Sequence, residues 1–535
     1  MDKLLLLGDE AIAQAAIDAG LSGMYAYPGT PSTEIMEYIQ ASGVASDRRI
    51  HRIWSSNEKT AMEAALGMSY AGKRAMVAMK HVGLNVAADS FINSAITGVN
   101  GGLIVVSADD PSMHSSQNEQ DSRFYAKFAF IPCFEPTDQQ EAYDMVFDAF
   151  ELSEKYKVPV MMRITTRLAH SRASVMLIDK PVPEKKLTLP SDQLQFVLLP
   201  AIAKRRYRAL IDTYEKIRLD IRIEKYNHFR EGRKSDLGII TTGIAWNYLA
   251  ENLNDSMNNF PVLKISAYPF PNNLVREIAG RCKELLVLEE GYPLIEEGLR
   301  GLLDNGIKIL GRLDGTVPRD GELNPYIVAK SLGLPASYGR DVPELVKMRP
   351  PSFCKGCGHS DMFNALIEAM KPFGPGHVFS DIGCYTLGAL PPYNAISSCV
   401  DMGASVTMAI GAADAGLLPS VAVIGDSTFT HSGMTGLLDA VTKNSPVTII
   451  ISDNSTTGMT GGQESKATGR IEQICTGIGV EPGHIITIVP LRKNHVENVH
   501  IMDKEFRYNG VSVIIAAREC IQTAARRKKA ENSNQ

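Results

Sequence analysis

The sequence predicts an α/β protein built from several doubly wound domains. Short apolar runs, such as residues 75–79 and 103–106, alternate with helical patterns and end in turn-forming sequences. This alternation is typical of a largely parallel sheet covered by helices. At 535 residues the chain is also too long for one core, because a domain holds roughly 150 residues.

Changes in composition divide the chain into four segments. Residues 1–184 and 235–345 carry the alternating pattern, and it returns in residues 346–535. Residues 185–234 are highly charged and are predicted to form a helical connector. Residues 335–351 are rich in proline and are predicted to form a linker.

The connector is predicted to be a surface helix with a solvated, charged face. Its apolar residues recur at helical spacing, which favours one face packed against the protein. These residues are Leu210, Ile211, Tyr214, Ile217 and Ile221.

The composition is that of an ordinary globular protein with small-molecule or protein partners. Hydrophobic residues make up 44% of the chain and charged residues 21%, with a formal net charge of -5. This charge gives no electrostatic basis for binding nucleic acid. The apolar N-terminal run is cut short at Gly8, and no run approaches the ~20 residues of a membrane span. We therefore expect neither a signal peptide nor a membrane anchor, and a cytoplasmic location.

Two strand candidates of the last segment end in residues suited to a magnesium ion. One, residues 421–426, runs into Gly425-Asp426-Ser427, and the other, residues 447–453, runs into Asn454. A third strand is predicted at residues 511–517. Mg²⁺ is commonly held by one or two protein oxygens together with phosphate oxygens. Asp426 offers a charged oxygen for this purpose and Asn454 a neutral one.

This arrangement resembles the thiamine diphosphate motif, in which Gly-Asp-Ser is followed after about 25 residues by a pair ending in Asn. Here 25 residues separate Ser427 from Asp453. Glycines such as Gly425, Gly458 and Gly461 let the backbone approach a diphosphate, and the helix that starts after Ser427 suits its charge. The resemblance also implies that the Thr456 carbonyl is a third Mg²⁺ ligand. It implies further cofactor contacts at Gly358, His359, Gly383, Gly403 and Ala404.

Thiamine chemistry requires a carboxylate against the aminopyrimidine ring, and the first segment contains a candidate. The sequence IWSSNEKTAMEAALGMSYAG places Glu58 at a strand-to-helix junction before a helix rich in Ala and Gly. It resembles the pyrimidine-domain helix of 2-oxoacid oxidoreductases, where this position holds the activating glutamate. The alternative is a glutamate favoured only by the helix dipole. Glu63, one turn later, is the reserve candidate.

Two further residues of the first segment are expected near the substrate. YPGTPSTEI resembles the YPITPS loop of the same superfamily, which implies that Thr30 lies near the substrate carboxylate. The polar stretch SADDPSMHSSQNEQDSRFYA looks like an exposed loop. Its Arg123 has the planar donors that pair with a carboxylate, although an ordinary surface arginine explains it equally well.

Four of the eight cysteines have a suggestive distribution. Cys354 and Cys357 form a CxxC at the start of the last segment, Cys384 follows in DIGC, and Cys520 ends the final strand. A CxxC alone is compatible with zinc, with thioredoxin-like chemistry or with coincidence. The full layout resembles that of 2-oxoacid:ferredoxin oxidoreductases, which implies that these four thiolates hold one [4Fe–4S] cluster. Cys399 and Cys475 lie outside this set.

Across nearly the whole chain the sequence resembles the α subunits of indolepyruvate ferredoxin oxidoreductases. The motifs are YPGTPSTEI, WSSNEK, ADDPSMHSSQNEQD, DIGCYTLG and GDSTFTHSG, in this order. The resemblance implies a pyrimidine-binding domain at 1–184, a transketolase C-terminal-like domain at 235–345 and a diphosphate-binding domain at 346–535. It also implies oxidative decarboxylation of aryl 2-oxoacids to acyl-CoA with electron transfer to ferredoxin.

Two features of the sequence depart from the family pattern. The chain has CKGCGH where the family has CPGCPH, which preserves the ligand spacing. Family members usually continue into a two-cluster ferredoxin module, but 15 residues follow Cys520 here. We therefore expect a hetero-oligomer with a smaller β subunit and an external ferredoxin. The alternatives are a non-redox thiamine decarboxylase or carboligase with structural or zinc-binding cysteines, and a non-catalytic scaffold subunit.

Overall fold

The computed structural model describes residues 3–533 except 191, 193, 304, 305, 348 and 350. The chain forms two compact units, Met1–Asp341 and Val342–Gln535. The boundary between them falls inside the proline-rich stretch 335–351. The first three predicted segments thus share one unit, and their separate boundaries stay a prediction.

The first unit contains two main sheets. Its strands are β1 Lys3–Leu7, β2 Gly23–Ala26, β3 His51–Trp54, β4 Ala75–Lys80, β5 Leu103–Asp109, β6 Cys133–Phe134, β7 Val160–Thr165, β8 Arg172–Met176, β9 Asn227–Arg230, β10 Leu237–Thr242, β11 Val262–Ile265, β12 Ala267–Tyr268, β13 Glu284–Leu288 and β14 Lys308–Leu310.

The helices of the first unit precede, follow or connect these strands. They are α1 Gly8–Asp18, α2 Thr33–Ala41, α3 Gly43–Asp47, α4 Glu58–Tyr70, α5 His81–Thr97, α6 Arg123–Ala129, α7 Gln139–Tyr156, α8 Thr166–His170, α9 Pro200–Arg218, α10 Ile221–Glu224, α11 Ala245–Leu253, α12 Asn272–Arg281, α13 Leu294–Leu302 and α14 Pro325–Ser331, with a 3₁₀ turn at Asn254–Asn259.

Seven strands of this unit form a sheet in the order β12-β6-β7-β5-β4-β2-β3, and five form a second sheet in the order β14-β13-β10-β11-β9. Neighbours are parallel except for the edge pairs β12 with β6 and β9 with β11. The strands predicted at 75–79 and 103–106 are β4 and β5, both fully buried. Neither strand alternates regularly between polar and apolar residues, which is typical of a parallel sheet covered on both faces.

The predicted connector helix is α9, and its apolar stripe is narrower than expected. Leu210 and Ile217 are buried in the core of the first unit, but Ile211 is exposed. The helix also packs through Tyr214, whose ring meets Phe130 edge-on at 5.6 Å between centroids. The connector helix therefore packs on the core of the first unit through a narrow face, and the rest of its surface is exposed or half-buried.

The second unit has one sheet of six parallel strands and a small two-stranded ribbon. Its strands are β15 Val378–Ser380, β16 Ser398–Cys399, β17 Ser420–Gly425, β18 Val447–Asp453, β19 Thr456–Thr457, β20 Gln463–Glu464, β21 Ile485–Ile488 and β22 Ser512–Ala517. Its helices are α15 Gly358–Met370, α16 Ala404–Asp414, α17 Asp426–Thr428, α18 Met434–Lys443, α19 Ile471–Ile478, α20 His495–Phe506 and α21 Ile521–Ser533. A π-helical turn, Phe429–Gly433, joins α17 to α18, and 3₁₀ turns lie at Cys384–Ala389, Gly458–Thr460, Pro482–His484 and Arg492–Asn494.

The large sheet of the second unit, in the order β16-β15-β17-β18-β22-β21, is buried on both faces. In β17, Ala422 and Ile424 belong to one apolar cluster, while Val421 and Val423 belong to another. Successive side chains of a strand point to opposite faces, so each cluster lies on one side of the sheet. This arrangement confirms the predicted doubly wound architecture for the second unit.

Candidate functional site

The predicted magnesium residues of the second unit lie at one edge of the large sheet. Strands β17 and β18 are parallel neighbours, with Gly425 opposite Ser452. Asp426 directly follows β17, and Asn454 directly follows β18. Because parallel strands end on the same side, this register brings the two residues to adjacent strand ends, where α/β sheets bind ligands.

Asp426 is a buried carboxylate that lacks a cationic partner. It is 2% exposed, and its Oδ2 has no hydrogen-bond partner among the described residues. Burial first, and then the neighbouring Asp453 carboxylate, raise the pKa of Asp426 to about 7. A divalent cation would remove this penalty, so the position fits a metal ligand.

The loop after β18 is shaped by its own polar contacts. Asn454 Oδ1 accepts the backbone N–H of Thr456 at 3.1 Å, and Ser427 Oγ lies 2.8 Å from Thr457 Oγ1. This last contact joins the loops that follow β17 and β18. Gly461 has a φ of 132°, a conformation that favours glycine. These contacts fix the shape of the loop beside the ends of β17 and β18.

The four predicted cluster cysteines converge on one cavity of about 210 Å³. All four are free thiols. Burial first, and then the three other thiols, raise the pKa of Cys384 to about 11, which reflects their proximity. The cavity is lined by Cys354, Cys357, Cys384 and Cys520, together with Gly358, His359, Ser452, Asn454, Gly458 and Gly462.

Two contacts link this cysteine cavity to the strand ends. The Cys520 backbone N–H donates to the Asn454 carbonyl at 3.1 Å. A Cβ added to Gly458 would lie 3.1 Å from Cys384 Sγ. These contacts place Cys384 and Cys520 next to the loop that follows β18.

The remaining residues expected to contact the cofactor surround the same edge. His359 is buried, its Nδ1 lies 3.1 Å from Cys357 Sγ, and burial lowers its pKa to about 4. Gly358 begins α15 and packs against Arg518, while Gly403 caps α16 with a φ of 94° just before Ala404. A Cβ at Gly403 would lie 2.6 Å from Ser432 Cβ, so only glycine fits there.

A hydrogen-bonded group at the end of β15 is absent from the sequence prediction. Asp381 is buried, accepts the Ser405 hydroxyl at 2.6 Å and contacts the Tyr385 hydroxyl. Burial raises the pKa of Asp381 to about 7. The Tyr385 ring fills the space beside Gly383 and Gly425. Its signal in the sequence was Asp at the end of a strand, the same signal that identified Asp426.

Arg518 is a second residue that the sequence prediction missed. It donates to Asp361 at 2.8 Å, to the Pro490 carbonyl at 2.9 Å and to the Gly356 carbonyl at 3.0 Å. Gly356 lies between Cys354 and Cys357, so Arg518 fixes the CxxC turn against the last strand. Its position two residues before Cys520 was the available signal.

In the first unit, Glu58 has the surroundings expected of a functional carboxylate and Glu63 does not. Glu58 begins α4, is 6% exposed, and lies against Gly83 of α5, where a Cβ would overlap its carboxylate. Glu63 lies on the surface and pairs with Lys59. This contrast favours Glu58.

Thr30 lies in the loop after β2, and this loop packs against the end of β4. A Cβ at Gly29 would lie 3.3 Å from Lys80 Cβ. Lys80 is buried, donates to the Ser115 carbonyl at 2.7 Å, and has its pKa lowered by burial to about 8. Its neighbour His81 is also buried. Sequence reasoning missed Lys80 and His81 because they end an apolar strand without a recognisable motif.

The expectation for Arg123 is wrong in its structural premise. Arg123 is 1% exposed, and its guanidinium donates to Asp121, to the Tyr268 hydroxyl and to the carbonyls of Glu290 and Tyr292. It is neither a surface arginine nor a donor facing open space. Nearby carboxylates already neutralise it, so we do not retain it as a substrate ligand.

Two family models match the chain. The one described as "Pyruvate flavodoxin/ferredoxin oxidoreductase, thiamine diP-bdg" matches residues 14–214. The one described as "Thiamine pyrophosphate enzyme, C-terminal TPP binding domain" matches residues 381–485. The first contains Glu58 and Thr30, and the second contains Asp426, Asn454 and Cys384.

Curated relatives match over almost the whole chain. The indolepyruvate oxidoreductase subunit IorA of Archaeoglobus fulgidus is 39% identical over 99% of this chain and 88% of its own length. The proteins of the same name from Methanothermobacter thermautotrophicus and Pyrococcus abyssi are each 38% identical over 97% of this chain, and over 87% and 86% of their own lengths.

A solved structure shares the fold at lower identity. The 2-oxoglutarate:ferredoxin oxidoreductase of Magnetococcus marinus aligns with a TM-score of 0.50 at 18% identity, over 62% of this chain and 65% of that chain. Within the described residues, no helix is both long and apolar enough to cross a membrane.

Proposed function

The chain belongs to the family of indolepyruvate oxidoreductase IorA subunits, and we propose that it oxidatively decarboxylates an aryl 2-oxoacid of the indolepyruvate type to an acyl-CoA. The observation that carries this proposal is the cysteine cavity. Four free thiols share its wall with Asn454 and Gly458 of the diphosphate motif. A non-redox thiamine enzyme has no need of four thiols at that position.

The residues of the strand-end site fit magnesium and thiamine diphosphate. When bound, thiamine diphosphate supplies the electron sink that decarboxylation of a 2-oxoacid requires. We assign Asp426, Asn454 and the Thr456 carbonyl to Mg²⁺, and the glycines at 425, 458 and 461, with Ser427, to the diphosphate. The unneutralised Asp426 carboxylate supports this assignment, because a buried anion needs a cation.

Glu58 is assigned to the aminopyrimidine ring and Thr30 to the substrate carboxylate. A buried carboxylate can hold a proton at the ring and exchange it during the reaction, whereas the surface carboxylate of Glu63 is paired with Lys59. Gly83 supports the role of Glu58, since any side chain there would displace the carboxylate.

The four cysteines are assigned to one [4Fe–4S] cluster. Thiolates are the usual protein ligands of such clusters. The electrons released by the oxidation would leave through this cluster to a ferredoxin. A smaller partner subunit and coenzyme A complete the proposed assembly.

The assay uses the chain co-purified anaerobically with its partner subunit. Indolepyruvate, other aryl 2-oxoacids and aliphatic 2-oxoacids are supplied with coenzyme A, and reduction of ferredoxin or a low-potential dye is followed. We expect aryl substrates to give the highest kcat/KM. Decarboxylation without any electron transfer would overturn the proposal in favour of a non-redox enzyme.

Iron content provides a separate test of the cluster. The anaerobic protein should contain about four irons per chain, as expected for one [4Fe–4S] cluster. Cys384→Ser should lose them, while Cys399→Ser and Cys475→Ser should retain them. Zinc in place of iron after anaerobic reconstitution would contradict the assignment.

A further inference from the structure

Three side chains of the first unit that no motif explains converge at the starts of α1 and α2 and the end of α8. Asp9 lies in the first turn of α1, Glu34 in the first turn of α2, and His170 at the end of α8. One oxygen or nitrogen ligand atom from each lies within 4.8 Å of the other two. Packing holds the arrangement, because a Cβ at Gly8 would overlap the Leu168 carbonyl.

The burial of Asp9 without a partner is the observation that calls for a ligand here. Its side chain is 0% exposed, and neither carboxylate oxygen has a hydrogen-bond partner among the described residues. Glu34 Oε2 is likewise buried without a partner, and Glu34 Oε1 lies 3.5 Å from His170 Nε2. Two carboxylates that face each other without donors need either a shared proton or a cation.

We propose that Asp9, Glu34 and His170 bind one divalent transition-metal cation of the Zn²⁺ class. Two carboxylates and an imidazole are ligands that Zn²⁺ accepts, and three protein ligands leave a position for water. His170 and Glu34 are each partly exposed, with 34% of their side-chain surface accessible, which gives the ion a path from solvent.

The cation would connect three helices next to the Thr30 loop. Helix α2 starts at Thr33, three residues after Thr30, and Gly29 N–H donates to Thr33 Oγ1 at 3.1 Å. The ion would therefore fix the start of α2, and with it the loop, to α1 and α8. This site is independent of the cysteine cavity and of the magnesium residues.

The test compares zinc content in full-length variants after chelation, zinc loading and dialysis. Asp9→Asn removes the buried carboxylate with little change in shape, and His170→Gln removes a ligand from a partly exposed position. The matched control is His114→Gln, because His114 also pairs with a glutamate, Glu322, at 3.2 Å but belongs to no group of three potential ligands among the described residues. We expect a loss of one zinc per chain in the first two variants and none in the control.

Comparison with the wild type separates this site from zinc held by cysteines or by Asp426, which all variants keep. Without a cation, the two facing carboxylates that lack donors would share a proton, so zinc binding should displace about one proton. Calorimetry in buffers of different ionisation enthalpy measures that proton. Equal zinc content in wild type and Asp9→Asn would overturn the proposal and assign the pair to a shared proton. Zinc uptake by the wild type without any proton release would also overturn it.

Discussion

Two sets of buried carboxylates, one in each unit, are compensated in opposite ways. In the first unit, Asp109, Asp121 and Glu135 lie within salt-bridge distance of Arg123 or Arg163, and we call this set the arginine network. In the second unit, Asp381 and Asp426 are just as deeply buried. Among the described residues, no lysine or arginine forms an ion pair with either of them.

The pKa of Asp121 reflects this difference, although burial still raises the pKa of Asp109. Burial alone would raise the pKa of Asp121, but Arg123 and Arg163 hold it below its usual value. Burial raises the pKa of Asp381 and Asp426 to about 7 without an opposing charge. The carboxylates of the arginine network are therefore neutralised by the protein, whereas Asp381 and Asp426 have no compensating lysine or arginine among the described residues.

The largest expected effect comes from removing the second unit's uncompensated charge. Asp426→Ala should abolish Mg²⁺-dependent binding of thiamine diphosphate, because the diphosphate loses the carboxylate that holds its bridging cation. Isothermal titration calorimetry measures the affinity. Asp414→Ala is the control, since that exposed aspartate pairs with Lys443 at 2.7 Å on the surface. Unchanged affinity in Asp426→Ala would show that Mg²⁺ does not bind at this edge of the sheet.

Glu58 extends the comparison to a first-unit carboxylate outside the arginine network. Glu58→Gln should keep the cofactor bound but slow proton exchange at the thiazolium carbon by about 10²–10⁴-fold, the usual contribution of a general acid or base. Hydrogen–deuterium exchange followed by NMR measures the rate. Glu63→Gln should exchange normally, because Glu63 is a surface residue. Slow exchange in Glu63→Gln with normal exchange in Glu58→Gln would reverse the assignment.

A substitution in the arginine network is expected to lower the stability of the protein and not its affinity for a ligand. Arg163→Met leaves Asp109 and Glu135 buried without their closest cation, which should cost about 3–5 kcal/mol of unfolding free energy. Denaturant unfolding monitored by circular dichroism measures the loss. Arg172→Met is the control, since its pair with Glu10 is half exposed and should contribute at most ~1 kcal/mol. A similar loss in both variants would mean that burial does not distinguish them.

Sequence reasoning recovered the parts of the protein that depend on local pattern. The strands β4, β5, β17, β18 and β22 are apolar runs of the right length, and Asp426 and Asn454 directly follow β17 and β18, as the pattern predicts. The four cysteines depended on spacing that the resemblance supplied. The expected role of Glu58 rested on the same resemblance, and the burial of this carboxylate is compatible with that role.

The rest depended on pairing across the sheet, which a single sequence does not reveal. Asp109 and Asp426 both end or follow buried strands, but Arg163 lies on the neighbouring strand β7 only in the first case. Arg123 looked exposed because its surrounding letters are polar, yet it pairs with the buried Asp121 and with residues distant in the chain, such as Glu289. Asp9 and His170, far apart in the chain, gave no local signal at all.

The smallest expected effects are pH dependences, and the first concerns Mg²⁺ binding to the second unit. Asp426 has a raised pKa of about 7 and must lose its proton to bind Mg²⁺. Affinity for Mg²⁺ should therefore fall about tenfold for each pH unit below 7 and level off above it. Titration of the protein with Mg²⁺ in the presence of thiamine diphosphate, from about pH 5.5 to about pH 8, measures this dependence. The range covers about 1.5 pH units below the pKa of Asp426 and about one above it. Asp426→Asn should lose the part of the dependence that comes from the protein.

Stability without cofactor should follow the same logic. Asp381 and Asp426 bind protons in the folded state up to about pH 7 but in the unfolded state only up to about pH 4, so their contribution to stability falls as pH rises between these values. Asp121, whose pKa is lowered, contributes stability above its unfolded pKa and loses it on acidification. In cofactor-free protein, the unfolding temperature of the second unit should therefore fall from pH 5 to pH 7. Saturating Mg²⁺ with thiamine diphosphate should cancel this fall, because the cation supplies the missing positive charge. Differential scanning calorimetry with and without the cofactor provides the measurement. A second unit that gains stability over this range without cofactor would show that its buried carboxylates are neutralised by the protein itself, as those of the arginine network are.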